Sequence, residues 1–70
     1  MSALVECRSE YQYAQRPTAF SWEDQRFQVT EILASWRIPG GWVFRVQADG
    51  GCNFDLIYME IEDAWEIRPS

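Results

Sequence analysis

The stretch Trp42-Val43-Phe44-Arg45-Val46-Gln47-Ala48-Asp49-Gly50-Gly51-Cys52-Asn53-Phe54-Asp55-Leu56-Ile57-Tyr58 decides the fold. Trp42, Phe44, Val46 and Ala48 alternate with Val43, Arg45 and Gln47; beyond the turn, Cys52, Phe54, Leu56 and Tyr58 alternate with Asn53 and Asp55. A period of two belongs to a strand, whose successive side chains point to opposite faces. Asp49-Gly50-Gly51 supplies turn chemistry between the runs, and the loop length sets the register. A two-residue loop at Asp49-Gly50 opposes Phe44 to Asp55, apolar against charged. A three-residue loop opposes Val46 to Phe54 and Phe44 to Leu56. The second register matches like with like, and it predicts a type I turn closed by a left-handed glycine.

Outward from this hairpin the same logic continues. Glu60-Ile61-Glu62-Asp63 reads as an acidic turn and residues 64–68 as a last short strand, pairing Tyr58 with Trp65 and Leu56 with Ile67. On the other side, Pro39-Gly40-Gly41 is a turn. Residues 18–29 predict a hairpin whose two-residue loop at Asp24-Gln25 pairs Glu23 with Arg26, Trp22 with Phe27 and Phe20 with Val29. A helix over residues 21–36 is the rival, with Ser21 as its cap and Val29, Ile32, Leu33 and Trp36 at helical spacing. That helix leaves Phe20 and Phe27 off its apolar face, so a bent strand is preferred. In plain strand form Phe27 and Val29 share one face and Ile32, Ala34, Trp36 and Ile38 the other, and a bulge or sharp bend near Thr30-Glu31 reconciles the two. Residues 5–13 alternate as a first strand, which Arg16-Pro17 ends.

These segments predict one small all-β domain over residues 1–70, an antiparallel meander of five or six strands in the form of a partly open SH3-like barrel. A chain of this length buries only about 60% of its unfolded surface. Four tryptophans, three tyrosines and four phenylalanines therefore read first as core, since large rings are one route to stability without disulfides or metal. Cys7 and Cys52 read as small buried apolar residues, bridged only where their strands are neighbours. Val43, Ile57 and Met59 lie opposite the aromatic row, which implies either burial on both faces or an exposed apolar patch used for association.

Catalytic chemistry finds little to work with. The chain has no histidine, the commonest general base and metal ligand. No nucleophile elbow, phosphate loop or metal-ligand spacing occurs, and two thiols alone do not complete a zinc site. The acidic cluster of Glu60, Glu62, Asp63 and Glu66 reads as a solvated turn and strand end. No catalytic, cofactor-binding or metal-binding residue is assigned, and the chain is read as a non-enzyme without a cofactor. Binding is the more serious option, because small barrels capture peptides or stack single-stranded bases on aromatic faces rimmed by arginine. Trp36, Arg37, Trp42 and Arg45, around the Pro39-Gly40-Gly41 turn, form the candidate binding surface. Arg45 is placed near Asp55 or Asn53 across the hairpin, as an ordinary ion pair. Eleven acids against six bases, a net charge of −5, disfavour a nucleic-acid partner. The N-terminal segment has no basic start or long apolar run, so no membrane partner is expected and the location is read as cytoplasmic.

Arg16-Pro17-Thr18-Ala19-Phe20-Ser21-Trp22, Arg26-Phe27-Gln28-Val29, Trp36-Arg37, Phe44-Arg45-Val46, Asp49-Gly50 and Trp65 together resemble a family of small uncharacterised bacterial proteins, a domain of unknown function. The spacing is also similar, less closely, to the C-terminal segment of ImuB-type proteins related to Y-family DNA polymerases. The resemblance covers residues 13–67 and rests on turn and core residues, so it speaks to fold more than to activity. The family tends to carry glycine where this chain has Asp24, which bears on the tightness of the first turn. The family resemblance implies no activity, and the ImuB similarity implies a link to DNA-repair assemblies. The expected function is thus a non-catalytic interaction or adaptor module, self-associating or bound to a protein partner. The runner-up is a single-stranded nucleic-acid-binding accessory factor in bacterial DNA repair.

Overall fold

The computed structural model describes residues 4–8 and 16–70 and contains six strands. They are β1 (Val5–Arg8), β2 (Arg16–Trp22), β3 (Gln25–Ile38), β4 (Gly41–Ala48), β5 (Asn53–Met59) and β6 (Ala64–Pro69). Each pairs antiparallel with the next in chain order, and the resulting meander curls into a half-barrel. Residues 21–36 are strand and turn with no helix. The expected first strand is present over β1, and the rest of that prediction lies outside the described residues.

The β4–β5 hairpin has the predicted register, Val46 opposite Phe54 and Phe44 opposite Leu56, across a three-residue 3-10 turn at Asp49–Gly51. The turn chemistry differs from the type I expectation, because Gly50 (φ 82°) and Gly51 (φ 79°) are both left-handed. Two glycines adopt this without the Cβ clash that other residues meet. The β5–β6 pairing also follows prediction, with Tyr58 opposite Trp65 and Leu56 opposite Ile67.

The first hairpin has a two-residue loop as predicted, but at a shifted position. Phe20 faces Phe27 and Trp22 faces Gln25, so the loop is Glu23-Asp24 and not Asp24-Gln25. Both loop residues have positive φ, 50° and 63°. Asp24 belongs to both loops, so the shift exchanges Glu23 for Gln25 at the other left-handed position and returns Gln25 to the strand. The slip is by two positions, so every side chain keeps its face. Phe20 now stacks on Phe27, centroids 5.4 Å apart. Arg26 gives up the expected Glu23 and reaches Glu6 on β1, with Nη2 2.7 Å from Oε2.

Strand β3 serves two neighbours, pairing with β2 over residues 25–28 and with β4 from Val29 to Ile38. Its register shifts between Val29 and Glu31, where the bend was predicted, and again between Ile32 and Ala34. Each bulge inverts the alternation. Ile32 therefore faces Val46 and packs on the core beside Val29, as the predicted bend requires, whereas Ala34, Trp36 and Ile38 do not follow it. The second bulge sends Ala34 and Trp36 back to the outer face. The Thr30 hydroxyl donates to the Gln47 carbonyl across the first bulge at 2.9 Å. At the irregular β1–β2 pairing, the Thr18 hydroxyl donates to the Glu6 carbonyl at 3.2 Å. In both places a side chain satisfies a backbone acceptor that the ladder skips.

The concave face holds the core, in which Phe20, Phe44, Val46, Ala48, Phe54 and Leu56 are buried. Trp22, Phe27, Trp42, Trp65 and Ile67 pack around it half-buried. Cys7 and Cys52 correct the prediction, being free and exposed. Cys7 lies on the short outermost strand and Cys52 at the mouth of the Asp49–Gly51 turn, where few neighbours can cover them.

Candidate interaction surface

The candidate residues sit on the β3–β4 hairpin, whose loop is Pro39-Gly40, with Gly40 at φ 84°. Gly41 follows, and a Cβ there would collide with the Tyr58 carbonyl oxygen, so β4 must begin on a glycine. Trp36 faces Val43 and Trp42 faces Arg37. These pairs occupy consecutive rungs of the ladder, so the two tryptophans project from opposite faces. The four residues expected as one surface are accordingly two guanidinium–indole stacks. The Arg45 Cζ lies 5.2 Å from the Trp36 ring on the convex face, and the Arg37 Cζ lies 5.4 Å from the Trp42 ring on the concave side. Neither stack uses sequence neighbours; Arg37 is directly across from its tryptophan and Arg45 is diagonal to it.

The concave stack closes the rim of the core. Trp42 lies 6.3 Å from Phe44 between centroids, and Tyr58 lies 5.0 Å from Trp65. Arg37 is held by Glu60, Nη2 to Oε1 2.9 Å. The Tyr58 hydroxyl donates to Asp63 Oδ1 at 2.7 Å, a bond that raises the phenol above its ordinary pKa, with desolvation and nearby acidic groups adding to the shift. These contacts tie the acidic turn back to the rim.

The convex stack belongs to a different surface. Along one rung Trp36, Val43 and Ile57 are cross-strand partners, continued by Glu66, and the next rung carries Ile38, Gly41, Met59 and Ala64. Below them runs a charged rung of Ala34, Arg45, Asp55 and Arg68. Arg45 is gripped by Asp55 through Nε–Oδ1 at 3.0 Å and Nη2–Oδ2 at 3.3 Å, which raises the already high guanidinium pKa. The predicted apolar patch is present with different members exposed. Val43 is buried, at 6% exposure, Ile57 and Met59 are half-buried, and Trp36 stands 38% exposed beside them.

The Arg45–Asp55 pair was legible from the hairpin register, whereas Arg37–Glu60 and Tyr58–Asp63 were not, because they join a strand end or rim residue to a turn. Among the described residues, no group of three or more histidine, cysteine or acidic side chains is arranged to hold a metal ion, and no helix is long and apolar enough to cross a membrane. No family model, curated protein or solved structure matches the chain.

Proposed function

We propose that the chain is a non-catalytic interaction module, acting in the cytoplasm, that docks a protein partner on the convex face of its sheet. The observation that carries this reading is Trp36, a large ring left 38% exposed at the β3 end of an apolar rung that continues through Val43 and Ile57. Around it Arg45, Asp55, Glu66 and Arg68 are paired charges. An apolar anchor inside a polar rim is the usual composition of a protein-binding patch, and tryptophan is the residue most enriched at its centre. The partner surface that fits offers an apolar cleft for the indole and mixed charge around it.

Single-stranded nucleic acid is less well supported. The arginines that would contact phosphates, Arg37 and Arg45, are each spent on a carboxylate and a tryptophan face of the chain itself. The net charge of −5 repels the backbone of any oligonucleotide.

The parent chain and Trp36→Asp, used side by side as baits, test the reading. A protein retained by the parent and lost by the variant, with near-ultraviolet circular dichroism unchanged, is the expected result. Equal retention by both removes the convex face from the function. Binding of a labelled single-stranded oligonucleotide at low salt, abolished by Arg37→Glu and Arg45→Glu, would replace this reading with the nucleic-acid one.

A further inference from the structure

Among the described residues, no strand pairs with three stretches of edge: the outer side of β1, the outer side of β6, and the side of β3 from Val29 to Ile38 that faces away from β4. On β3 two bulges interrupt the strand and protect it from further pairing. β1 is short and its pairing is interrupted between Glu6 and Cys7, an irregularity that protects an edge from further pairing. β6 is regular and pairs with β5 along its whole length. The Ser70 N–H donates to the Asn53 carbonyl, which fixes the phase of the ladder. Ala64, Glu66, Arg68 and Ser70 turn their backbone groups toward β5, so Trp65, Ile67 and Pro69 turn theirs outward. The open edge thus offers the N–H groups of Trp65 and Ile67 and the carbonyls of all three, Pro69 having no N–H.

The side chains of this strand make it complementary to itself in one register only. Glu66 and Arg68 lie on the convex face, both largely exposed, and ion-pair with each other at 3.2 Å. When a second β6 is set antiparallel to the first about a two-fold axis, centring on Glu66 opposes two carboxylates. Centring on Arg68 opposes two guanidinium groups. Centring on Ile67 opposes Glu66 of each copy to Arg68 of the other, twice, and sets Trp65 against Pro69 on the concave face. The two Ile67 residues then exchange both backbone bonds. Each Trp65 N–H reaches the facing Pro69 carbonyl, so the missing proline N–H leaves no donor unpaired. Opposite charges directly across a ladder stabilise it and like charges destabilise it.

We propose that the chain forms a symmetric dimer by antiparallel pairing of its β6 edges, centred on Ile67, with Glu66 and Arg68 paired between copies. The occupant is a second copy because the complement to the edge is written in the edge itself. The contact is isologous and closes after two chains. It uses a different surface from Trp36, and joining the sheets this way leaves both Trp36 patches on one continuous convex face, free for a partner.

Sedimentation equilibrium from micromolar to millimolar concentration tests the dimer with three samples: Glu66→Arg alone, Arg68→Glu alone, and their equimolar mixture. Each variant alone carries like charges across the axis and should dimerise about tenfold or more weakly than the parent. The mixture restores both pairs, as arginines on one copy meet glutamates on the other, and should recover the parent's dimer. Both side chains are exposed, so the fold is expected to persist in each, as near-ultraviolet circular dichroism will report. A monomeric parent at millimolar concentration overturns the proposal, as does a mixture no stronger than its components.

Register is read independently by disulfide trapping in a Cys7→Ser, Cys52→Ser background. Residues facing each other at a non-hydrogen-bonded position lie about 4.5 Å apart at Cα, within disulfide reach. Chains with Glu66→Cys should therefore cross-link to chains with Arg68→Cys and not to themselves. Self-cross-linking of either variant, or no cross-link in the mixture, overturns the Ile67-centred register.

Discussion

Val43 and Phe44 are neighbours on β4, and both are buried, but from opposite sides and for different reasons. Phe44 lies in the concave face among Trp42, Trp65 and the buried cluster of Val46, Phe54 and Leu56. Val43 lies in the convex face and is flanked on its rung by Trp36 and Ile57. The first burial is made by strands that curl over one another, the second by side chains lying flat on a single sheet. A half-barrel can therefore carry apolar residues on both faces while only one face is a core. The other is a thin apolar layer with one indole at its surface, and this is the difference between packing and docking.

The largest way to break the comparison is on the concave side. Phe44→Ala should cost about 3–5 kcal/mol, enough to unfold a domain whose whole stability is of that order. Urea denaturation followed by tryptophan fluorescence will measure it. Trp22→Ala, at a half-buried site, should cost less than Phe44→Ala. The same measurement on Trp36→Ala should give about 1–2 kcal/mol, from the area of Trp36 and Val43 newly opened to water. A loss equal to that of Phe44→Ala would make the convex face a second core and take away its role as a docking surface.

A smaller effect, of opposite sign, is expected outside both faces. Asp24 is held at φ 63° in the first turn, a conformation glycine adopts without strain. Asp24→Gly should raise stability by about 0.5 kcal/mol, relief of the left-handed strain exceeding the added freedom of the unfolded chain. An unchanged or lowered thermal midpoint would mean that the Asp24 side chain holds the turn in another way.

The subtlest test concerns the rim. Because its bond to Asp63 raises the Tyr58 pKa in the fold, Tyr58 binds its proton more tightly there than in the unfolded chain. Its contribution is fully present below the ordinary tyrosine range near pH 10 and is lost as pH rises through the raised folded value. Alkaline unfolding should therefore begin at lower pH in the parent than the rest of the chain requires, and Tyr58→Phe should flatten that limb. Identical alkaline limbs in both proteins would remove the Tyr58–Asp63 bond from the rim.

How much of this was legible beforehand depends on how local each feature is. The β4–β5 and β5–β6 registers, the bend at Thr30 and the Arg45–Asp55 pair follow from alternation, turn residues and matching of facing side chains within a few tens of residues. Glu66 and Arg68 could have been noticed as an alternating charged pair, but nothing in the sequence says that their strand is an edge.

Alternation and turn residues alone were enough to read the strands from Gly41 to Arg68 and their register, because a two-residue period interrupted by glycine and aspartate fixes which side chains face each other. Over residues 21–36 they left strand and helix both open. The faces taken by the β3 side chains beyond Ile32 came only with the assembled sheet. β3 must leave β2 and join β4, and it does so through two bulges, each inverting the faces of all that follows. The first bulge was legible at Thr30-Glu31, whereas the second, between Ile32 and Ala34, has no turn residue to mark it. The two-residue Pro39-Gly40 loop sets Trp36 across from Val43 and so on the face opposite Trp42, and one expected surface becomes a rim and a docking patch.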